Sequence, residues 1–251
     1  MKLKVIGSNS KGNCYLLEND TEALLIECGV NFSEIKKAIN FNISKIVGCI
    51  VTHEHKDHCK SIDDVMKAGI NVYSNKGTFE ALDIYCDVFG KKCHHKANPL
   101  HGIDDFKIGG FRIMSFDVKH DASEPCGFLI NHKETGNVLF LTDTIYSPYT
   151  FKNLNNIIIE ANYSNRIMTE KLQKGNMPEF LRNRILKSHM SLETCMEHLQ
   201  ANDLTAVNNI VLIHLSDGNS DEKYFLNEVK KLTSKNVFVA DKGLTIDFNK
   251  K

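Results

Sequence analysis

Short apolar runs separated by turns rich in Gly and Asn fill the first fifty residues, at 3–6, 14–17, 23–26 and 46–51. Runs of this length, punctuated in this way, predict strands. Apolar positions then recur at helical spacing over 32–39 and 61–68, followed by a strand at 71–74 and a helix at 78–85. A second strand-rich block extends from 106 to 159. Helices follow at 169–173, 178–186 and 191–199, where Ser191 with Glu193 close behind marks a helix start. A strand at 209–213, a helix at 221–232 and strands at 237–239 and 244–248 close the chain. Two strand blocks, each with its own helices, predict an α+β fold: a four-layer αββα sandwich. Four prolines and no low-complexity segment leave no obvious linker, so residues 1–251 read as a single domain.

The length allows a sizeable core. No apolar run is long enough to cross a membrane, and Met1-Lys2-Leu3-Lys4-Val5 leads into a strand without a signal-peptide pattern. Eight cysteines show no C-x-x-C pairing and sit in apolar contexts such as Cys49 and Cys126. They read as reduced thiols of a cytoplasmic protein rather than a disulfide framework. Lys+Arg and Asp+Glu balance at 31 each. That balance leaves room for a local basic patch but weighs against extended nucleic-acid binding, which usually brings a positive excess.

The densest chemistry is Thr52-His53-Glu54-His55-Lys56-Asp57-His58, with three imidazoles and Asp57 in six positions after an apolar run. In an extended segment alternate side chains share a face, so His53 and His55 can grip one ion. A following helical turn carries Asp57 and His58 toward a second position. Imidazole with carboxylate suits zinc, manganese or iron, and too few thiols lie close by for a zinc finger or an iron–sulfur cluster. His120, Asp143 and His214 each follow a predicted strand. The bland alternatives are a solvated charged turn, a helix cap for Asp143 and core histidines for the other two.

The spacing His53-x-His55-x-Asp57-His58, followed in order by His120, by Asp143 closing Val138-Leu139-Phe140-Leu141-Thr142, and by His214, resembles the metallo-β-lactamase-fold hydrolases over nearly the whole chain. The resemblance implies the αββα sandwich and two divalent metal ions, Zn2+ with Mn2+ as the alternative. It assigns His53, His55 and His120 to one ion, Asp57, His58 and His214 to the other, and Asp143 to the bridge. Such a pair activates a hydroxide between the ions. A carboxylate bridge, in place of the cysteine of many antibiotic-degrading members, suits phosphodiesterases and glyoxalase II-type thioesterases. Glu160-Ala161-Asn162 and Ser188-His189-Met190-Ser191 resemble the tRNase Z branch, in which a Glu–His dyad protonates the leaving oxygen. This implies His189 as general acid, Glu160 as its orienting partner and Asp57 as an aid to the attacking hydroxide. Ser216 and Asn219 are candidate substrate contacts, and the loop 7–13 borders the site as a phosphate contact or a bare turn. Glu27-Cys28-Gly29 departs from the usual Asp, which demands a different arrangement behind the histidines. Cys59 is a ligand only in a sulfur-using relative; His94, His95, His101, His132 and His198 read as surface or structural.

For the substrate, a charge-neutral chain with neither a second lobe nor the Gly- and Lys-rich arm of tRNase Z points to a small phosphodiester. The chain resembles compact phage-borne members, the anti-Pycsar phosphodiesterases among them, in residues 8–14 and in Ile26-Glu27-Cys28-Gly29. That resemblance implies hydrolysis of cyclic nucleotides (cCMP, cUMP, cAMP, cGMP) to linear monophosphates by a homodimer in the host cytoplasm. The alternatives are a DNA or RNA nuclease of the tRNase Z-like type and a glyoxalase II-type thioester hydrolase.

Overall fold

The computed structural model describes residues 1–84 and 94–250. Its first half runs β1 (Lys2–Gly7), β2 (Cys14–Glu18), β3 (Ala23–Ile26), α1 (Phe32–Ala38), β4 (Ile46–Ile50), α2 (Lys56–Cys59), α3 (Ile62–Lys67), β5 (Val72–Asn75), α4 (Lys76–Ala81) and β6 (Ala97–Leu100). Then come β7 (Asp105–Ile108), β8 (Phe111–Asp117), β9 (Cys126–His132), β10 (Gly136–Leu141), β11 (Leu154–Glu160), α5 (Asn165–Gln173), α6 (Glu179–Ser188) and α7 (Leu192–Ala201). The chain closes with β12 (Asn209–Ile213), α8 (Glu222–Thr233), β13 (Asn236–Val239) and β14 (Thr245–Asp247). Two seven-stranded sheets result, ordered β14-β1-β2-β3-β4-β5-β6 and β13-β12-β11-β10-β9-β8-β7.

Alternation along each strand builds the layers. Leu24 and Ile26 on β3 meet Phe128, Ile130, Phe140 and Ile158 between the sheets, while Leu25 turns outward to Ile35, Val65 and Phe79. On the second sheet Leu139, Ile157 and Leu212 face Leu199, Phe225 and Val229 of α7 and α8. Each such fully buried side chain contributes about 1.5–3 kcal/mol. The expected helix-sheet-sheet-helix layering is therefore what these residues build.

Boundaries differ where distant groups set them. α4 begins two residues before the expected 78, and Tyr85, its expected end, lies outside the described residues. α5 begins at Asn165, four residues before the expected start. Glu193 of α7 accepts from Asn165 N (3.3 Å) and Ser164 Oγ (3.2 Å) there, a cap invisible in the local sequence. Ser191 caps α7 as expected, accepting from Thr194 N at 3.0 Å.

Candidate metal centre

β3 runs parallel to β4, and β10, β11 and β12 run parallel to one another. The carboxyl ends of parallel strands open a crevice where open α/β sheets bind ligands. Glu27 follows β3, His53 follows β4, Asp143 follows β10, Glu160 ends β11 and His214 follows β12. Three of these turn the chain sharply: Glu27, Asp143 and His214 hold φ of 62°, 43° and 55°. Left-handed backbone costs an L-residue roughly 1–2 kcal/mol. Finding it three times around one crevice fits the concentration of strain at functional sites.

The local sequence supplies a second constraint. Glu27-Cys28-Gly29 lies against α2, where Cys28 N donates to His58 O (2.8 Å) and Asn13 N to Asp57 O (2.7 Å). A Cβ on Gly29 would stand 1.7 Å from Asp57 O, so only glycine fits. Gly29→Ala is expected to push α2 and its Asp57 and His58 out of place. Elemental analysis should then find the metal content roughly halved or lower; full content would show that α2 yields without cost to the site.

The structure brings His53, His55, His120 and Asp143 into one cluster and Asp57, His58 and His214 into another, with donor atoms within 4.8 Å in each. Asp143 Oδ2 stands 3.3 Å from His58 Nε2, 3.5 Å from His120 Nε2 and 3.7 Å from His53 Nε2, and its Oδ1 is 3.8 Å from His214 Nδ1. One carboxylate thus faces both clusters. Asp57 Oδ2 sits 3.1 Å from His214 Nε2.

Hydrogen bonding tests whether these residues suit a cation. Ser188 O can only accept, so His120 Nδ1 (2.7 Å away) donates and Nε2 keeps its lone pair. That Nε2 lies 3.1 Å from His55 Nδ1, which lies 3.0 Å from His53 Nε2. A single N–H on His55 can satisfy one of these neighbours, so a lone pair stays unmatched within the trio. A cation satisfies all three. Burial first, then the neighbouring His58, holds His53 well below the ordinary histidine range, and burial also lowers His120. Both are thereby neutral, the form that binds metal. In the other cluster burial opposes charge, yet Asp143 and Asp57 raise His214 up to about 10, and Asp143 with Glu27 raises His58. This pocket attracts positive charge, and the donor set fits a divalent metal.

Behind the clusters, Glu27 is fully buried and accepts from Thr52 N through both oxygens (3.2 and 3.4 Å), 3.6 Å from His58 Nδ1. Its longer arm therefore reaches the β4 turn as well as a histidine. The loop 7–13 holds the site from below: Ser8 Oγ accepts from His214 N (3.1 Å), and Asn13 Nδ2 reaches Asp57 Oδ2 at 3.3 Å. Cys59 instead donates to Glu54 O (3.0 Å), with burial raising its thiol to about 12. His132 and His198 are buried, and His95 and His101 exposed.

His189 follows α6 and packs on His214, ring centroids 5.3 Å apart and near parallel. Its Nδ1 lies 2.7 Å from Glu160 Oε1, while Glu160 Oε2 accepts from Met190 N (3.1 Å) and Thr144 N (3.2 Å). Burial works against the imidazolium, but Glu160 holds it, raising His189 above the ordinary range. Beside the pair opens a cleft of about 180 Å³ lined by Ser10, Arg184, Ser188, His189, His214 and Ser216. Asn219 lies behind, its amide donating to Ser216 Oγ at 3.3 Å. Ser10 belongs to the loop 7–13 expected to border the site, whereas Arg184 stands in no ligand-rich motif and has no signal in the sequence.

Fold and site together define a metallohydrolase of the metallo-β-lactamase type. The chain belongs to the beta-lactamase superfamily: residues 23–215 match the model of the "Beta-lactamase superfamily domain". Among curated relatives it is 28% identical to the exodeoxyribonuclease WalJ of Streptococcus pneumoniae, over 98% of this chain and 92% of the relative. It is 28% identical to the exodeoxyribonuclease YycJ of Bacillus anthracis, over 88% and 85% of the two chains. Among solved structures, the metallo-β-lactamase fold protein YhfI of Bacillus subtilis superposes with a TM-score of 0.71 at 17% identity, covering 98% of both chains. No helix among the described residues is long and apolar enough to cross a membrane.

Proposed function

We propose that this chain is a metal-dependent phosphodiesterase that hydrolyses DNA from strand ends. The observation that carries the reaction class is the pair formed by buried Glu160 and half-buried His189 beside the ligand clusters. An alkoxide leaving phosphorus needs a proton, and an imidazolium held by a carboxylate supplies one; a thiolate leaving a thioester does not need it. His53, His55 and His120 would hold one ion, Asp57, His58 and His214 a second, with Asp143 shared. Two divalent ions, Zn2+ by ligand type, supply Lewis acidity and lower the pKa of water near the substrate. Asp57, its acid range held well down by His214 and His58 against burial, stays ionised and accepts a proton or orients water. Ser216 and Ser10 offer hydroxyls to the phosphate oxygens from the cleft wall.

Two facts favour DNA. The two curated relatives named above, aligned over 98% and 88% of this chain, bear the name exodeoxyribonuclease. The cleft of about 180 Å³ also falls below the roughly 300–1,000 Å³ of sites that enclose a small ligand whole, but admits one phosphate of a strand that continues outside. The cyclic-nucleotide reading shares every catalytic residue and draws support from the zero net charge. In that reading a second copy of the chain would help close the cleft, and the activity would counter host antiviral cyclic-nucleotide signalling.

Turnover of single-stranded DNA, cyclic mononucleotides, pre-tRNA and a glutathione thioester by the zinc- or manganese-loaded protein separates these readings. DNA should be degraded fastest, and a chelator should stop it. Turnover confined to cyclic mononucleotides would replace the DNA reading with the second one.

A further inference from the structure

The segment between β11 and α7 departs from the charge balance of the chain. Residues 165–188 carry six cations (Arg166, Lys171, Lys174, Arg182, Arg184, Lys187) against two carboxylates, Glu170 and Glu179. Arg184 and Lys187 are exposed and form no ion pair with another described residue. Within α6, Phe180, Arg184 and Lys187 stand at i, i+4 and i+7, so they share one face. Phe180 is the most exposed large apolar side chain of the described residues, at 77%. None of the core clusters formed by the described residues includes it. The same helix ends at the active site: Arg184 lines the cleft with His189, and Ser188 O holds His120.

Resting on the DNA reading above, we infer that α6 is the arm that holds a single DNA strand as it leaves the metal centre. Arg184 receives the phosphate next to the one being cut, and Phe180, about 6 Å further along the helix, stacks against a base beyond it. Lys187 and Arg182 add positive charge along the backbone of the strand. Exposed aromatics interleaved with cations are how proteins hold single strands without reading sequence. Charge complementarity selects the occupant: an apolar partner surface would leave Arg184 and Lys187 without counter-charge, whereas a strand supplies one phosphate per nucleotide.

The test compares kcat/KM on a twenty-nucleotide single strand with that on a dinucleotide, in the metal-loaded full chain. Phe180→Ala and Arg184→Gln should each lower that ratio roughly tenfold, and Phe180→Trp should restore it. Arg184→Gln should also flatten the dependence of log kcat/KM on log salt by about 0.7, the share of one single-strand phosphate. A ratio within twofold of the parent in both variants, with DNA still degraded, overturns the arm alone. A parent protein that turns over cyclic mononucleotides and leaves DNA intact overturns the DNA reading and the arm with it.

Discussion

Asp143→Asn is expected to lower turnover on the order of 10³-fold, about 4 kcal/mol of lost charge stabilisation. The substitution keeps the volume and the hydrogen bond from Thr142 Oγ1, which lies 2.8 Å from Asp143 Oδ1. What it removes is the negative charge that four imidazoles face, from both ligand clusters at once. Burial alone would push this carboxyl upward, yet His214 and His58 hold it well below the usual carboxylate range. The neutral amide offers a single weaker oxygen in place of two charged ones, so an ion held by either cluster would lose a partner. Elemental analysis after gel filtration, paired with kcat, checks this. Parental metal content together with parental turnover would remove Asp143 from its shared position.

The metal centre was legible in the chain because its chemistry is concentrated. Histidines and aspartates stand immediately after apolar strands, and strand ends are where parallel sheets gather side chains from distant sequence. All seven expected ligands stand together for that reason. Glu160 and His189 were legible through their motifs, although their 2.7 Å contact depends on β11 and the end of α6 meeting. Arg184 was not legible. In sequence it is one more charge on a helix of ordinary polarity, and solvated faces look the same. Its place follows from α6 ending against His120 through Ser188 O, a tertiary contact with no local signal. Net charge is a coarse guide for a related reason. The balance of 31 against 31 averages over the whole chain and hides six cations against two carboxylates in residues 165–188, the segment that brings Arg184 to the cleft. The start of α5 was misplaced because Glu193, twenty-eight residues on, supplies its cap.

Replacing His189 tests whether the Glu160–His189 pair acts on the leaving group or only props the site. His189→Ala should lower kcat on DNA roughly 10²–10⁴-fold, the range of general acid catalysis. Metal content should stay parental, because His120 and His53 keep their own supports in Ser188 O and Thr52 Oγ1. The leaving group discriminates further. A bis(p-nitrophenyl) diester expels a phenolate that departs without a proton, so the variant should lose about tenfold or less there. The pH profile carries the same information with a definite sign. A general acid works protonated, and Glu160 raises His189 above its ordinary range against the effect of burial. Activity on DNA therefore holds through neutral pH and falls as pH rises through the raised value. Glu160→Gln removes the charge that does the raising, so its alkaline fall should begin at lower pH, while His189→Ala should lack that limb. Equal losses on both diesters, or metal lost along with His189, would recast the residue as part of the scaffold of the centre.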